Sequence, residues 1–305
     1  MASFFYSLKA KSFALLLVIL LLMVTACSGG GSSGQNTPSN SSITITVGGQ
    51  SDIEAQLLTK LYVLLLRHAG FKVVERDALG TDDIVFNAIN SGQIDLSPEF
   101  TATGLTKLGL NSIGNALQDY LQIKQGYEAK YHITWLSMSP LNDTYGICTT
   151  QAEARRLGAT KISDLAGKAA SLTIATSSAG VKYGVNVVQS IYGFTFEKVT
   201  TYNQEALTFP AVASGAQNLN ICQTTDPAIA KYNFVLLQDN KDAFPTNDPA
   251  PMVRDALLHK APQIATVLNK LAPFLTTQVS QQLQVQIAAG ETVTAVATQF
   301  LQRKG

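Results

Sequence analysis

Residues 79–105, LGTDDIVFNAINSGQIDLSPEFTATGL, narrow the folds open to this chain more than any other stretch. Thr81 is placed to cap a helix. Asp82 and Asp83 stand in its first turn, where the positive end of the helix dipole favours them, and Gly92 supplies a residue able to end it. Residues 94–96 then read as a strand that runs into a loop. Upstream, residues 43–47 alternate apolar side chains with Thr, as a strand does, and Ser51-Asp52-Ile53-Glu54 has the form of a capping box. A helix beginning at Asp52 would carry Ile53, Leu57, Leu58, Leu61, Leu64 and Leu65 at helical spacing and stop near Gly70; residues 71–75 form the next strand. Strands separated by helices of this length predict βαβ units and an α/β sheet. A solute held by such a sheet sits at the carboxyl ends of its strands, where Gln50 and Phe100 fall.

The pattern restarts after Tyr145, with strands expected at 145–149, 172–175, 196–199 and 219–222 and helices at 180–192 and from Asn203. Residues 234–237 are expected to cross back, and 256–304 read as successive helices bracketed by Pro262, Pro273 and Gly290. The chain thus divides into lobe 1 (43–143 plus 239–305) and lobe 2 (144–238), joined by a two-segment hinge near 142–146 and 231–238. First lobe, second lobe and return is the arrangement of a type II periplasmic-binding fold.

The N-terminus carries Lys9 and Lys11 and then an apolar run over 13–24, too short for the roughly 20 residues of a bilayer span. It reads as a secretory signal over residues 1–26. Val24-Thr25-Ala26-Cys27 matches a lipobox, which would make Cys27 the diacylated first residue and anchor the protein extracytoplasmically at the outer face of the cell membrane. Residues 27–42, the lipidated Cys and a Gly/Ser/Asn-rich tract, form the expected tether. No second apolar run is long enough to span a bilayer, so any translocation path must come from other subunits. With 22 basic and 21 acidic residues the net charge is +1, which gives no electrostatic case for nucleic acid. Cys148 and Cys222 follow similar strand lead-ins, YGIC and NLNIC, and are read either as a disulfide of an exported domain or as two buried thiols.

Gly92-Gln93-Ile94-Asp95-Leu96-Ser97-Pro98-Glu99-Phe100-Thr101-Ala102-Thr103 has the form of a GxIDxxPEYTGT-type segment. In order around it stand Val47-Gly48-Gly49-Gln50, Asn142-Asp143-Thr144-Tyr145, Thr224-Thr225-Asp226, Phe244-Pro245 and Pro249-Ala250-Pro251-Met252-Val253-Arg254. Together they make the chain resemble the substrate-binding proteins of glycine betaine/choline/carnitine ABC importers. The resemblance implies a monomer that closes around a small solute, works with permease and ATPase subunits, and uses no cofactor or metal. A quaternary ammonium has no hydrogen to donate and is recognised by surrounding its methyls with π faces. The family's aromatic positions fall here on Phe100, Tyr145, Gln223 and Asn247, so two of the four are rings; Tyr183, Tyr202 and Tyr232 are further candidates.

The family's carboxylate-binding Arg aligns with Val181. Lys182 offers a point charge in its place without the guanidinium fork, and Ser177, Ser178 and nearby helix amides offer an alternative. Gln50 and Thr103 are expected to make polar contacts, Asp143 to line the pocket or to form an Asx turn, and Asp226 to fix its loop. These departures leave a pocket richer in amides and hydroxyls than an aromatic cage, suited to a more polar relative of betaine. His68, His132 and His259 stand apart, and no HExxH, GxSxG, phosphate-loop or dinucleotide motif is present, so a binding function is expected and catalysis is not. A receptor serving a sensor kinase or chemoreceptor would share this fold and pocket.

Overall fold

A computed structural model describes residues 39–304, so the expected signal, Cys27 and most of the tether lie outside the described residues. Two sheets carry the fold. The first contains β1 (Thr44–Gly48), β2 (Lys72–Arg76), β3 (Leu96–Phe100), β4 (Ile133–Trp135) and β10 (Pro249–Arg254) in the order β2-β1-β3-β10-β4. The second contains β5 (Tyr145–Thr150), β6 (Thr173–Ser177), β7 (Lys198–Tyr202), β8 (Leu219–Gln223) and β9 (Phe234–Leu237) in the order β7-β6-β8-β5-β9. In each sheet one antiparallel strand, β10 or β5, is inserted among strands that are otherwise parallel. The chain enters the second sheet through residues 136–144 and returns through 238–248. This is the two-lobed α/β architecture of periplasmic binding proteins.

Helix α1 (Ile53–His68) shows how sequence sets the packing of the first lobe. Asp52 rather than Ser51 caps it, accepting from Ala55 N at 2.8 Å, and the helix starts one residue later than expected. Leu57, Leu58, Leu61, Tyr62 and Leu66 are buried in one core with Ile45, Val47 and Leu96 of the sheet and Leu283 and Phe300 of the C-terminal helices. Each such side chain contributes roughly 1.5–3 kcal/mol on burial. The opposite face of the sheet packs Trp135, Tyr127, Ile123 and Met252 under α2 (Asp82–Asn90), α3 (Thr101–Leu108) and α4 (Ala116–Tyr131). Gly104 of α3 is required there: a Cβ would come within 2.9 Å of the Trp135 ring.

The structure departs from the sequence reading at several points. Residues 39–42 are part of the fold and not of a tether: Asn40 Nδ2 donates to Ala69 O at 2.7 Å, and Gln263 Nε2 donates to Asn40 Oδ1 at 2.6 Å. Amides that suggest a solvated leash are here spent on tertiary hydrogen bonds. Residues 234–237 do not cross back; they form β9, paired with β5 inside the second sheet, and the return path is 238–248. The second connecting segment is therefore 238–248 and not 231–238. Strand β10, which the sequence reading did not expect, carries Pro249 and Pro251, residues that cannot donate to a ladder. Their carbonyls accept from Ser139 N and Leu136 N, so the nitrogens on the same side face a connecting segment where no ladder donor is needed.

Candidate functional site

The strand ends and the two crossings converge on one region. Gln50 follows β1, Phe100 ends β3, and Thr103 lies half-buried in the first turn of α3. Asn247 precedes β10; its side-chain Oδ1 accepts from Ala102 N at 3.0 Å and its backbone N donates to Asn142 Oδ1 at 2.8 Å. Asp143 N donates to Asn247 O at 3.1 Å, which ties the two crossings together. Where the motif has an aromatic ring, Asn247 thus caps α3 with its amide. Phe100 is 7% exposed and packs mainly into the core of the first sheet, leaving little of its face for a solute.

On the second lobe Tyr145 and Gln223 are register partners at the start of β5 and the end of β8. The Tyr145 and Tyr183 rings lie nearly parallel, 18° apart with centroids at 6.5 Å, and Lys182 Nζ stands 4.8 Å from the Tyr183 ring. Tyr183 is 51% exposed. These residues form an aromatic wall with a cation beside it. Tyr232 does not join them: it stacks on Phe209 at 6.4 Å, in the core behind β5 and β8. Tyr202 also packs against that core. Ser177 spends its hydroxyl oxygen on Gly180 N, which also removes that amide from the expected anion-binding set. A groove lined by Gln151, Arg155 and Leu236 involves none of these residues.

Buried carboxyls distinguish the site. Glu99, fully buried, accepts from Phe100 N at 2.8 Å through Oε1, which lies 3.4 Å from Gln50 Nε2, while Oε2 has no hydrogen-bond partner among the described residues. Burial pushes its carboxyl up to about 8, and burial pushes Asp248 up to about 7. Asp143 is engaged by Thr225 Oγ1 at 2.8 Å, so its carboxyl serves the crossing and not an open pocket wall. Asp226 caps the helix Pro227–Lys231 through Ala228 N at 2.7 Å and fixes its loop. Sequence reasoning missed Glu99 and Glu54 as buried acids. For Glu54 a signal was present, since it stands in phase with Leu57, Leu58 and Leu61 on the buried stripe of α1.

These raised carboxyls set the sign of a pH dependence. Glu99 holds its proton in the folded state above the pH at which the unfolded chain loses it, so its contribution is complete below about 4.5 and is lost as pH rises through about 8. The melting midpoint of the solute-free protein is expected to fall between pH 6 and pH 9, and Glu99→Gln should remove a share of that fall. Equal falls in wild type and variant would mean that Glu99 is already ionised at pH 6.

Residues 43–303 match the substrate-binding domain of the ABC-type glycine betaine transport system. Similar characterised proteins include a carnitine transport binding protein, OpuCC, of Listeria monocytogenes, 28% identical over 272 residues that cover 87% of this chain and 88% of the relative. The glycine betaine-binding protein YehZ of Escherichia coli is 27% identical over 283 residues, 88% of this chain and 93% of that protein. A binding protein described as an ergothioneine transport permease/ergothioneine binding protein, EgtU of Helicobacter pylori, is 23% identical over 86% of this chain and 48% of its own length. Among solved structures, a glycine betaine/carnitine/choline ABC transporter protein superposes with a TM-score of 0.80 at 25% identity, covering 85% of this chain and 98% of the other. Apo YehZ superposes with a TM-score of 0.79 at 27% identity, covering 86% and 99%. Fold, ordered motifs and coverage agree, and the chain belongs to the family of substrate-binding domains of ABC-type glycine betaine transport systems.

Proposed function

We propose that this protein captures a betaine-, carnitine- or choline-like osmolyte between its two lobes and delivers it to a permease driven by an ATPase subunit. The observation that carries the reading is the near-parallel Tyr145–Tyr183 pair beside the crossings, in a chain of this family. Two π faces suit a trimethylammonium group, and Lys182 beside them suits a carboxylate on the same solute. Thr103, Gln50 and the small exposed edge of Phe100 supply the facing wall from lobe 1, with Gln223 beside Tyr145; an amide at Gln223 in place of a ring favours a more polar member of the solute class. Closure about residues 142–144 and 238–248 would bring the walls together and present the liganded form to the permease.

Binding proteins of ABC importers work outside the cytoplasm, and among the described residues no helix is long and apolar enough to cross a membrane. A signal over 1–26 and a lipid on Cys27 would hold the domain at the membrane surface, on a tether ending near residue 38. The EgtU relative, in whose name permease and binding protein are joined, supports the partner assignment. Titration calorimetry of the purified chain, unfolded and refolded to strip solute, against glycine betaine, carnitine, choline, proline betaine and ergothioneine tests the proposal. Micromolar or tighter binding of one of them is the expected result; no heat with any of them sinks the osmolyte reading.

A further inference from the structure

The two rings of the aromatic wall come from different segments, yet both take their position from one strand. Partners in an antiparallel ladder face the same side, and residues two apart share it. Tyr145 and Ile147 of β5 and Ile221 and Gln223 of β8 therefore stand on one face of the second sheet. The helical segment over residues 178–192 lies on that face, with Val185 and Val188 buried in one core with Ile147 and Ile221. Tyr183 leaves this segment toward Tyr145.

The backbone that carries Tyr183 is irregular at this point. Residues 178–180 and 186–192 are α-helical, but between them, over Val181–Val185, the turn is wide: Asn186 N donates to Val181 O, five residues back instead of four. Such a turn holds one residue more than an α turn and recurs at functional sites. Here it leaves Lys182 and Tyr183 exposed side by side and buries Gly184 and Val185. Gly184 seats directly on Ile221, where a Cβ would overlap the Cγ2 methyl and come within 3.2 Å of Cγ1 and Cδ1. Its backbone is not left-handed, so the glycine supplies room and not conformational freedom. Gly180, one turn earlier, lies over the same methyl, which a Cβ there would meet at 3.3 Å. Ile221 is 1% exposed and belongs to a strand flanked by β6 and β5, so it has nowhere to retreat.

We propose that Gly184 is a positioning residue for solute recognition: it lets the wide turn seat on Ile221, and that seat fixes the height at which Tyr183 faces Tyr145. Tyr145 takes its place from the β5–β8 ladder and Tyr183 from the seat on β8, so the wall is set within lobe 2. A methyl added at Gly184 lifts the turn off the sheet. It carries Tyr183 and Lys182 away from Tyr145 and Gln223 together, and a solute that touches both rings loses one of them. The inference rests on the osmolyte reading above for its ligand and on packing alone for its geometry.

The test is a double-variant cycle on the full chain, read as calorimetric affinity for glycine betaine and choline. Tyr183 is half exposed, so Gly184→Ala and Tyr183→Ala should each weaken binding about ten-fold, the scale of one partly desolvated cation–π contact. Both together should bind no more weakly than Tyr183→Ala alone, because the methyl acts only through a ring already removed. Single effects that multiply in the double variant, or a Gly184→Ala affinity equal to wild type, overturn the proposal. Gly184→Ala combined with Ile221→Ala puts the new methyl where the old one stood and should recover most of the wild-type affinity; a pair as weak as Tyr183→Ala overturns it. The pair also decides the matter if Gly184→Ala alone does not melt cooperatively. Should wild type bind neither solute, that failure belongs to the osmolyte reading, and Gly184 is judged without solute by fluorine NMR of protein carrying meta-fluorotyrosine. The Tyr145 signal, identified by its loss in Tyr145→Phe, should move in Tyr183→Ala and in the same direction in Gly184→Ala. A signal that Gly184→Ala leaves in place overturns the proposal.

Discussion

Replacing Cys148 and Cys222 together by Ala should cost this protein about 4 kcal/mol of stability, the figure for opening a closed loop of this size in the unfolded chain. The two residues are joined across the neighbouring strands β5 and β8, with Cα atoms 6.3 Å apart and a sequence separation of 74. Both are fully buried, in a core with Ala175, Phe209, Ile229 and Phe234, so each Ala also leaves a small void. The bridge sits two residues beyond Gly146 and one before Gln223, and so pins the strand that opens with Tyr145 to the strand that ends at Gln223. Guanidinium unfolding of oxidised wild type and the double variant measures the effect as a lower midpoint, with a larger slope because the unfolded chain expands. Thiol titration of the unfolded, unreduced protein decides the premise: with Cys27 set aside, two reactive thiols would mean that no bridge forms and would remove the expected difference.

How much of this was legible in the sequence depends on whether a residue acts through its neighbours in the chain or across it. The two-lobed α/β plan was legible because α1 and α2 carry apolar residues at helical spacing and Gly92 holds φ at +80° at the end of its unit. Strand β9 was misassigned because an apolar tetrapeptide, Phe-Val-Leu-Leu, fixes a strand but not its partner; only the pairing with β5 puts it in the second sheet. Asn247 was placed by motif where a ring belongs. Its role as cap of Ala102 N spans 145 residues and leaves no local pattern. Glu54 looked like half of a capping box because its spacing from Ser51 is right, yet the cap is Asp52 and the carboxyl turns inward to Ser280 and Gln284, more than two hundred residues away. Polar residues with local jobs were found; polar residues with distant partners were not.

Tyr145→Ala should weaken binding of a trimethylammonium solute by roughly 30-fold while leaving the cooperative melt in place. The size follows from the ring: a desolvated cation–π contact is worth about 2 kcal/mol, and removing Tyr145 also takes away the face against which Tyr183 stacks. The fold should survive because what holds this point is backbone and neighbours: Thr144 N donates to Thr224 Oγ1 at 2.9 Å, and the β5–β8 ladder runs on through Gly146 and Ile147. Two further substitutions separate π recognition from simple burial. Tyr145→Phe keeps the ring and should bind nearly as wild type, whereas Tyr145→Leu keeps apolar bulk without a quadrupole and should fall most of the way to the Ala variant. If Leu binds like Phe, the wall works by excluding water, and a cage of π faces is the wrong description of this site. If all three bind alike, solute does not touch Tyr145, and the stacked pair closes the mouth of the crossing without reading what passes through it.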